Sequence, residues 1–220
     1  MIITIDGPSG TGKTTIAKKI ASILKFNYCD TGAMYRTIAL AILKYDVDIS
    51  NFDSLNKFLD RKPFKINFLK NGKTSYLIDN ENVEHLLRSL EVSNLSSKIS
   101  SNPKIRNLLN SLQIEFSQLG NCVFEGRDLG SVVFPYADFK IFLTASPEVR
   151  SQRRYQELVN KGIKTSLEEV FHNLKNRDIA DATRDIAPLT IPDNAFVLDT
   201  SNLKISEVID KILFFIKKGD

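Results

Sequence analysis

Met1-Ile-Ile-Thr-Ile-Asp-Gly-Pro-Ser-Gly-Thr-Gly-Lys-Thr14 is the stretch that decides the fold. Ile2 to Ile5 is a β-branched run that closes on Asp6, and Gly7-Pro-Ser-Gly-Thr-Gly-Lys-Thr14 fits the pattern G-x-x-x-x-G-K-[ST]. From Thr14 to Leu24, Ile16, Ala17, Ile20, Ala21, Ile23 and Leu24 recur at helical spacing. Strand, glycine loop and helix in that order are the setting that a phosphate-cradling loop needs. Gly7 and Gly12 let the backbone turn so that successive N–H groups point inward at a phosphate, helped by the positive end of the helix. Lys13 is placed to bridge the β- and γ-phosphates of a nucleotide, and the Thr14 hydroxyl to ligate magnesium.

Outward from this stretch, short apolar runs recur at Phe26 to Cys29, Cys122 to Phe124, Phe139 to Leu143 and Phe196 to Leu198, with helical patterns between most of them. Five strands alternating with helices predict an α/β fold built on a five-stranded, parallel, doubly wound sheet. One segment departs from that rhythm. Phe64, Ile66 and Phe68 alternate, Asn71-Gly72 supplies a turn, and Tyr76 and Ile78 resume the alternation, which predicts a small antiparallel insert at about 62–82. Helical stretches are expected at 83–101 and 103–119, with Pro103 as a first-turn residue.

At 220 residues and 42% hydrophobic, the chain is sized for a single unit with a small insert rather than two full domains. The net charge of +4 suits nucleic acid or an anionic small substrate, but the basic residues form no run or stripe, which argues against nucleic acid. Ten of the 30 basic residues are arginines, each a candidate for work that needs a planar fork. Cys29 and Cys122 lie in apolar segments without metal or disulfide spacing and read as buried thiols. His85 and His172 stand without partners at useful spacing, so neither a metal site nor a general base is expected of them. The sequence opens without a basic-plus-apolar leader and its apolar stretches, Ile212 to Ile216 in the last helix among them, cannot span a bilayer; a cytoplasmic protein is expected.

A phosphate loop announces a nucleotide and leaves the acceptor open. If the acceptor is itself a phosphate monoester, it is already anionic at neutral pH; the obstacle is charge repulsion, and arginines relieve it. Three arginine-bearing segments qualify, and a fourth repeats the idea. Asp30-Thr-Gly-Ala-Met-Tyr-Arg36 follows a strand end, where open α/β sheets bind ligands. Phe124-Glu-Gly-Arg-Asp-Leu-Gly130 does likewise; its Arg127-Asp128 is either a ligand-facing pair or a surface ion pair. Its Glu125 either holds a magnesium-bound water or is a buried acid tied to backbone N–H groups. Arg150, Arg153 and Arg154 share one helical face, which an anion would neutralise unless that face is simply solvated, with Glu157 one turn away. Arg177, Asp181 and Arg184 fall at i, i+4 and i+7, fit for ligand contact or for salt bridges within the helix.

With these residues in hand, the chain resembles the bacterial cytidylate kinase family over essentially its whole length. The likeness runs through the phosphate loop, Asp30-Thr-Gly-Ala-Met-Tyr-Arg36, Pro103-Lys-Ile-Arg106, Glu125-Gly-Arg-Asp128, Val132-Val-Phe-Pro135, Lys140-Ile-Phe-Leu-Thr-Ala-Ser146 and Arg177-Asp-Ile-Ala-Asp-Ala-Thr-Arg184. The resemblance implies transfer of the ATP γ-phosphate to CMP or dCMP with magnesium, by a monomer that binds neither nucleic acid nor membrane. It implies a core at about 1–61 with 103–148 and 186–220, an acceptor-binding insert at about 62–102 and a lid at about 149–185. Gly7, Pro8, Ser9, Gly10, Thr11, Gly12, Lys13, Thr14, Thr15, Arg150 and Arg153 would bind ATP. Thr31, Tyr35, Arg36, Ser97, Arg106, Arg127, Asp128, Arg177, Asp181 and Arg184 would bind the acceptor. Lys13, Arg127, Arg154 and Arg177 would be catalytic, and Thr14 would hold the metal, with Glu125 acting through a water. Thr31 stands where the family often has Ser, which keeps a hydroxyl.

Two other readings share the phosphate loop. A shikimate-kinase-like enzyme needs a pocket for a hydroxyl acceptor. A GTPase switch needs an Asn-Lys-x-Asp signature, which this sequence lacks.

Overall fold

The computed structural model describes residues 1–69, 72 and 74–219. In chain order the elements are β1 (Ile2–Asp6), α1 (Lys13–Leu24), β2 (Asn27–Asp30), α2 (Thr31–Lys44), α3 (Phe52–Arg61), β3 (Phe64–Phe68), β4 (Thr74–Ile78) and β5 (Glu81–Asn82). They continue with α4 (Leu90–Ile99), α5 (Pro103–Ser117), β6 (Cys122–Glu125), β7 (Phe139–Thr144), α6 (Pro147–Asn160), α7 (Leu167–Thr183), β8 (Phe196–Asp199) and α8 (Ile205–Gly219). The main sheet has five strands in the order β2-β6-β1-β7-β8. Strand β1 runs parallel to β6 and β7, and β7 parallel to β8. The five strands fall where the apolar runs of the sequence put them.

The chain divides into two compact units, Met1–Phe26 with Asn121–Asp220, and Asn27–Gly120. In the first, β1 and β6 are covered on both faces, with Ile3, Ile5, Cys122, Val123 and Phe124 at 0% exposure, so both strands read as continuous apolar runs rather than as alternation. Helix α1 presents Ile16, Ala17, Ile20 and Ala21 to that core. Beyond the sheet, α6 starts at the Ser146 cap with Pro147 in its first turn, and α7 starts in a capping box made by Ser166 and Glu169. Leu158, Val170 and Leu174, with Tyr155 packed against them, form a small apolar cluster of their own.

In the second unit, β3 and β4 pair antiparallel with Phe64 opposite Ile78 and Ile66 opposite Tyr76, and all four side chains are buried. Asn71 of the expected turn lies outside the described residues. The insert also has a third strand that the sequence reading lacks: a turn through Asp79 (φ 52°) and Asn80 (φ 68°) leads to β5, only two residues long. The helix expected over 83–101 is broken. A single 3₁₀ turn spans Glu84–Leu86, and α4 begins only where the Ser89 side chain accepts from Val92 N. Pro103 opens α5 behind the Asn102 cap, as expected. Helix α3, unmarked in the sequence reading, is capped by Asn51 and buries Leu55, Phe58 and Leu59. Both cysteines are buried and neither is in a disulfide. Among the described residues no helix is long and apolar enough to cross a membrane.

Candidate active site

The loop between β1 and α1 takes its shape from its backbone. Gly7 has φ 142°, and a Cβ there would lie 2.0 Å from the carbonyl oxygen of Leu143, so no other residue fits. Gly12 stands at φ 89° as the N-cap of α1 without any side-chain cap, which leaves the first helical N–H groups to whatever sits in the loop. The Lys13 Nζ donates to Pro8 O at 2.6 Å and lies 3.5 Å from Thr11 Oγ1. Burial, then the neighbouring Arg127, pushes the Lys13 ammonium well below its usual range, while Glu125 and Asp6 pull it back up. The Thr14 hydroxyl donates to Glu125 Oε2 at 2.9 Å, so these two oxygen groups meet beside the loop. Thr15 is exposed and turned to solvent.

Around the loop the arginines are held by side chains. Arg127 donates from Nε to Asp181 Oδ2 at 3.0 Å, from Nη1 to Gly126 O at 3.1 Å and from Nη2 to Ser9 Oγ at 2.7 Å. It therefore joins β6, α7 and the phosphate loop. Arg184 Nη2 donates to Asp128 Oδ1 at 3.2 Å. Asp181 and Arg184 thus pair with the strand-end residues Arg127 and Asp128.

Arg150, Arg153 and Arg154 share a face of α6 that the sequence leaves open to an anion or to solvent with Glu157 nearby, and each guanidinium has partners within the chain. Arg150 is buried, donates to Ala145 O at 2.9 Å and Ser9 O at 3.2 Å, and pairs with Asp178. Arg153 donates to Thr200 Oγ1 at 3.0 Å and Thr200 O at 2.6 Å. Arg154 pairs with Glu157 at 2.7 Å, the partner one turn away. Asp178, from the next helix, is what spacing on α6 alone does not reveal.

In the second unit, Thr31 and Arg106 are buried, and Tyr35, Arg36 and Ser97 partly so. Asp30 caps α2 by accepting from Ala33 N at 2.8 Å, and its carboxylate holds Arg36 at 3.0 and 3.2 Å. Tyr76 from β4 donates to Asp30 O at 3.2 Å, so the insert braces the same corner. Arg106 Nη1 donates to Ser100 O at 3.0 Å, and Ser100 Oγ to Ser97 O at 2.7 Å.

Four residues of these networks are missing from the sequence expectations. Asp30 lies inside a quoted motif and was legible as a helix cap. Asp6 was legible only as a polar residue that ends an apolar strand; it is fully buried and accepts from Leu129 N and Gly130 N. Asp178 also lies inside a quoted motif, but neither it nor Thr200 carries a local signal of its partner. The Thr200 hydroxyl reaches Thr11 O at 3.3 Å from 189 residues away.

The family model described as "Cytidylate kinase" matches residues 3–218. A cytidylate kinase of Chlamydia felis is 48% identical over 213 residues, covering 97% of this chain and 96% of that protein. One of Chlamydia pneumoniae is 47% identical over 220 residues and covers both chains completely. Among solved structures, a shikimate kinase from Bacteroides thetaiotaomicron superposes with a TM-score of 0.53 at 12% identity, over 99% of this chain and 98% of that one, which speaks for the fold alone.

Proposed function

The chain belongs to the cytidylate kinase family, and from that premise we propose that it transfers the γ-phosphate of ATP to CMP or dCMP, giving CDP or dCDP and ADP. An oxygen of the acceptor phosphate attacks the γ-phosphorus, the bond to the β–γ bridging oxygen breaks, and its electron pair leaves with ADP. The full-length family match carries the reading. Residues Gly7 to Thr15 cradle the phosphates of ATP, all but Pro8 through their N–H groups, and Lys13 neutralises charge on the group in flight. Arg150 serves that site through the backbone of Ser9, and Arg153 from beside Thr200.

Arg127, Arg154 and Arg177 stabilise the charge that builds on the transferring phosphoryl group. Arg36 and Arg127 hold the acceptor phosphate; Ser97, Arg106 and Asp128 read cytosine. Asp181, Arg177 and Arg184 orient ribose and phosphate, and Thr31 and Tyr35 also bind the acceptor. Pairing of Arg127 with Asp181 and of Arg184 with Asp128 supports the part assigned to these four residues, because it gathers them just past the end of β6.

The oxygen pair made by the Thr14 hydroxyl and Glu125 suits a hard divalent cation. Thr14 would hold magnesium directly and Glu125 through a water, and when bound the ion supplies charge neutralisation on the phosphate oxygens. The division into core (about 1–61, 103–148 and 186–220), acceptor insert (about 62–102) and lid (about 149–185) is supported by the separate hairpin sheet and by the α6–α7 apolar cluster. The enzyme works as a cytoplasmic monomer, independent of nucleic acid or membrane. An ADP-release assay across CMP, dCMP, UMP, AMP, GMP and shikimate tests the reading. CMP and dCMP should lead by at least about tenfold; turnover of shikimate, or of no monophosphate, would sink it.

A further inference from the structure

Asp6 ends β1 with its carboxylate at 0% exposure, directly before the first glycine of the phosphate loop. Its Oδ1 accepts from Leu129 N at 3.1 Å and its Oδ2 from Gly130 N at 2.8 Å. These N–H groups open the turn Leu129–Val133, a wide π-type turn in which Val132 N returns to Asp128 O at 2.9 Å and Phe134 N to Leu129 O at 2.7 Å. The first N–H groups of such a turn have no acceptor within it and need one from outside. An Asp standing immediately before a helical turn usually supplies that acceptor from its own side chain. Asp128 stands there, yet its carboxylate makes no cap bond and goes to Arg184 instead. Asp6 does the capping from the neighbouring strand.

We propose that Asp6 is a positioning residue for the acceptor: by capping the turn in place of Asp128, it leaves the Asp128 carboxylate to read the base. The inference rests on the function proposed above and deepens it. Burial pushes the Asp6 carboxyl up to about 6, opposed by the N–H groups of Gly130 and Leu129; Asp128 raises it further and Lys13 lowers it. The proximity of both neighbours fits a carboxylate shared between the two halves of the reaction. Its backbone runs into the ATP loop while its side chain governs the acceptor turn. Without Asp6, Asp128 still stands in the cap position of the two N–H groups and would fold back onto its own turn.

Asp6→Asn keeps the shape but supplies only one acceptor atom. Steady-state kinetics with each substrate varied in turn should show KM for CMP rising by about tenfold or more, KM for ATP moving less than about twofold, and the CMP over UMP preference falling. In combination with Asp128→Asn the preference should fall no further than in Asp128→Asn alone, since both changes remove one function. Gly130→Ala carries the same test if Asp6→Asn does not fold. Its Cβ would lie 3.0 Å from Pro192 Cγ and Thr4 Oγ1, crowding the turn off Asp6 while the carboxylate stays intact. A rise in KM for ATP alone, or additive losses in the double variant, would overturn the inference and leave Asp6 as a support of the phosphate loop. A wild-type protein inactive towards every nucleoside monophosphate would instead overturn the function beneath it.

Discussion

In the loop from Gly7 to Thr14 the backbone makes the shape, through glycines at φ 142°, 80° and 89° and a helix start that no side chain caps. Among Arg127, Arg150, Arg154 and Arg184 the shape comes from side chains, each guanidinium resting on an aspartate or glutamate. The loop is preformed for an anion, because oriented N–H groups cost nothing to present once the chain has folded. The arginines are positioned by carboxylates whose place a phosphate would have to take or share. On the proposed function, one region would set where phosphate binds, and the other which partner yields when it arrives.

The harshest way to break the comparison is Lys13→Ala, which removes the one ammonium inside the backbone cradle. Turnover should fall by about 10³-fold or more with circular dichroism almost unchanged; retention of more than about a tenth of the activity would take catalysis away from the loop. Next in size is a pH effect on the residue that links the two regions. Asp6 rises from 3.8 to about 6 on folding, so between those values the folded chain keeps a proton that the unfolded chain releases. Its contribution to stability therefore falls as pH rises from about 4 to about 6 and is flat above, by up to about 3 kcal/mol. Denaturant unfolding of wild type and Asp6→Asn at several pH values isolates that slope as the difference between the two. Parallel curves would put the titration elsewhere.

Asp128→Asn sharpens the side-chain half. Cytosine offers an amino donor where uracil presents a carbonyl, and an amide can donate as well as accept. The CMP over UMP ratio of kcat/KM should drop by at least about tenfold, mainly through lost CMP activity; an unchanged ratio leaves Ser97 and Arg106 as the readers. The gentlest test follows hydrogen exchange from Arg150 to Asp181, which should slow several-fold when ATP and CMP bind together, as closure excludes water. Equal exchange with and without ligand would mean that the aspartate and glutamate partners of these arginines never yield.

The same contrast explains what the sequence made legible. The loop could be read as a spacing because backbone geometry demands glycine at fixed intervals, and the strands because β1, β6 and β7 are buried on both faces and so spell continuous apolar runs. Strand β5 escaped because two residues carry no periodicity, and the break before α4 because Ser89 interrupts an otherwise helical pattern. The arginines were visible but their partners were not. Asp178 is 28 residues from Arg150, Asp181 54 from Arg127, Arg184 56 from Asp128, and the amides of Leu129 and Gly130 123 and 124 from Asp6. Pairing over such distances is decided by tertiary structure, and a charge pattern on one helix cannot announce it.

The cluster of Leu158, Val170 and Leu174 under Tyr155 is a small keel for two long helices. At about 2 kcal/mol for each buried aliphatic side chain it supplies some 6 kcal/mol, against an ordering entropy of about 1 kcal/mol or more for every residue held in place. The sheet interior, with Ile3, Ile5, Phe124 and Ile141 at 0% exposure, has far more to lose. The α6–α7 arm should therefore melt locally at a free energy well below that of global unfolding. The connection between the helices exposes Lys161 and Lys164. Trypsin acting on the native protein should nick there first, leaving the strands on either side assembled.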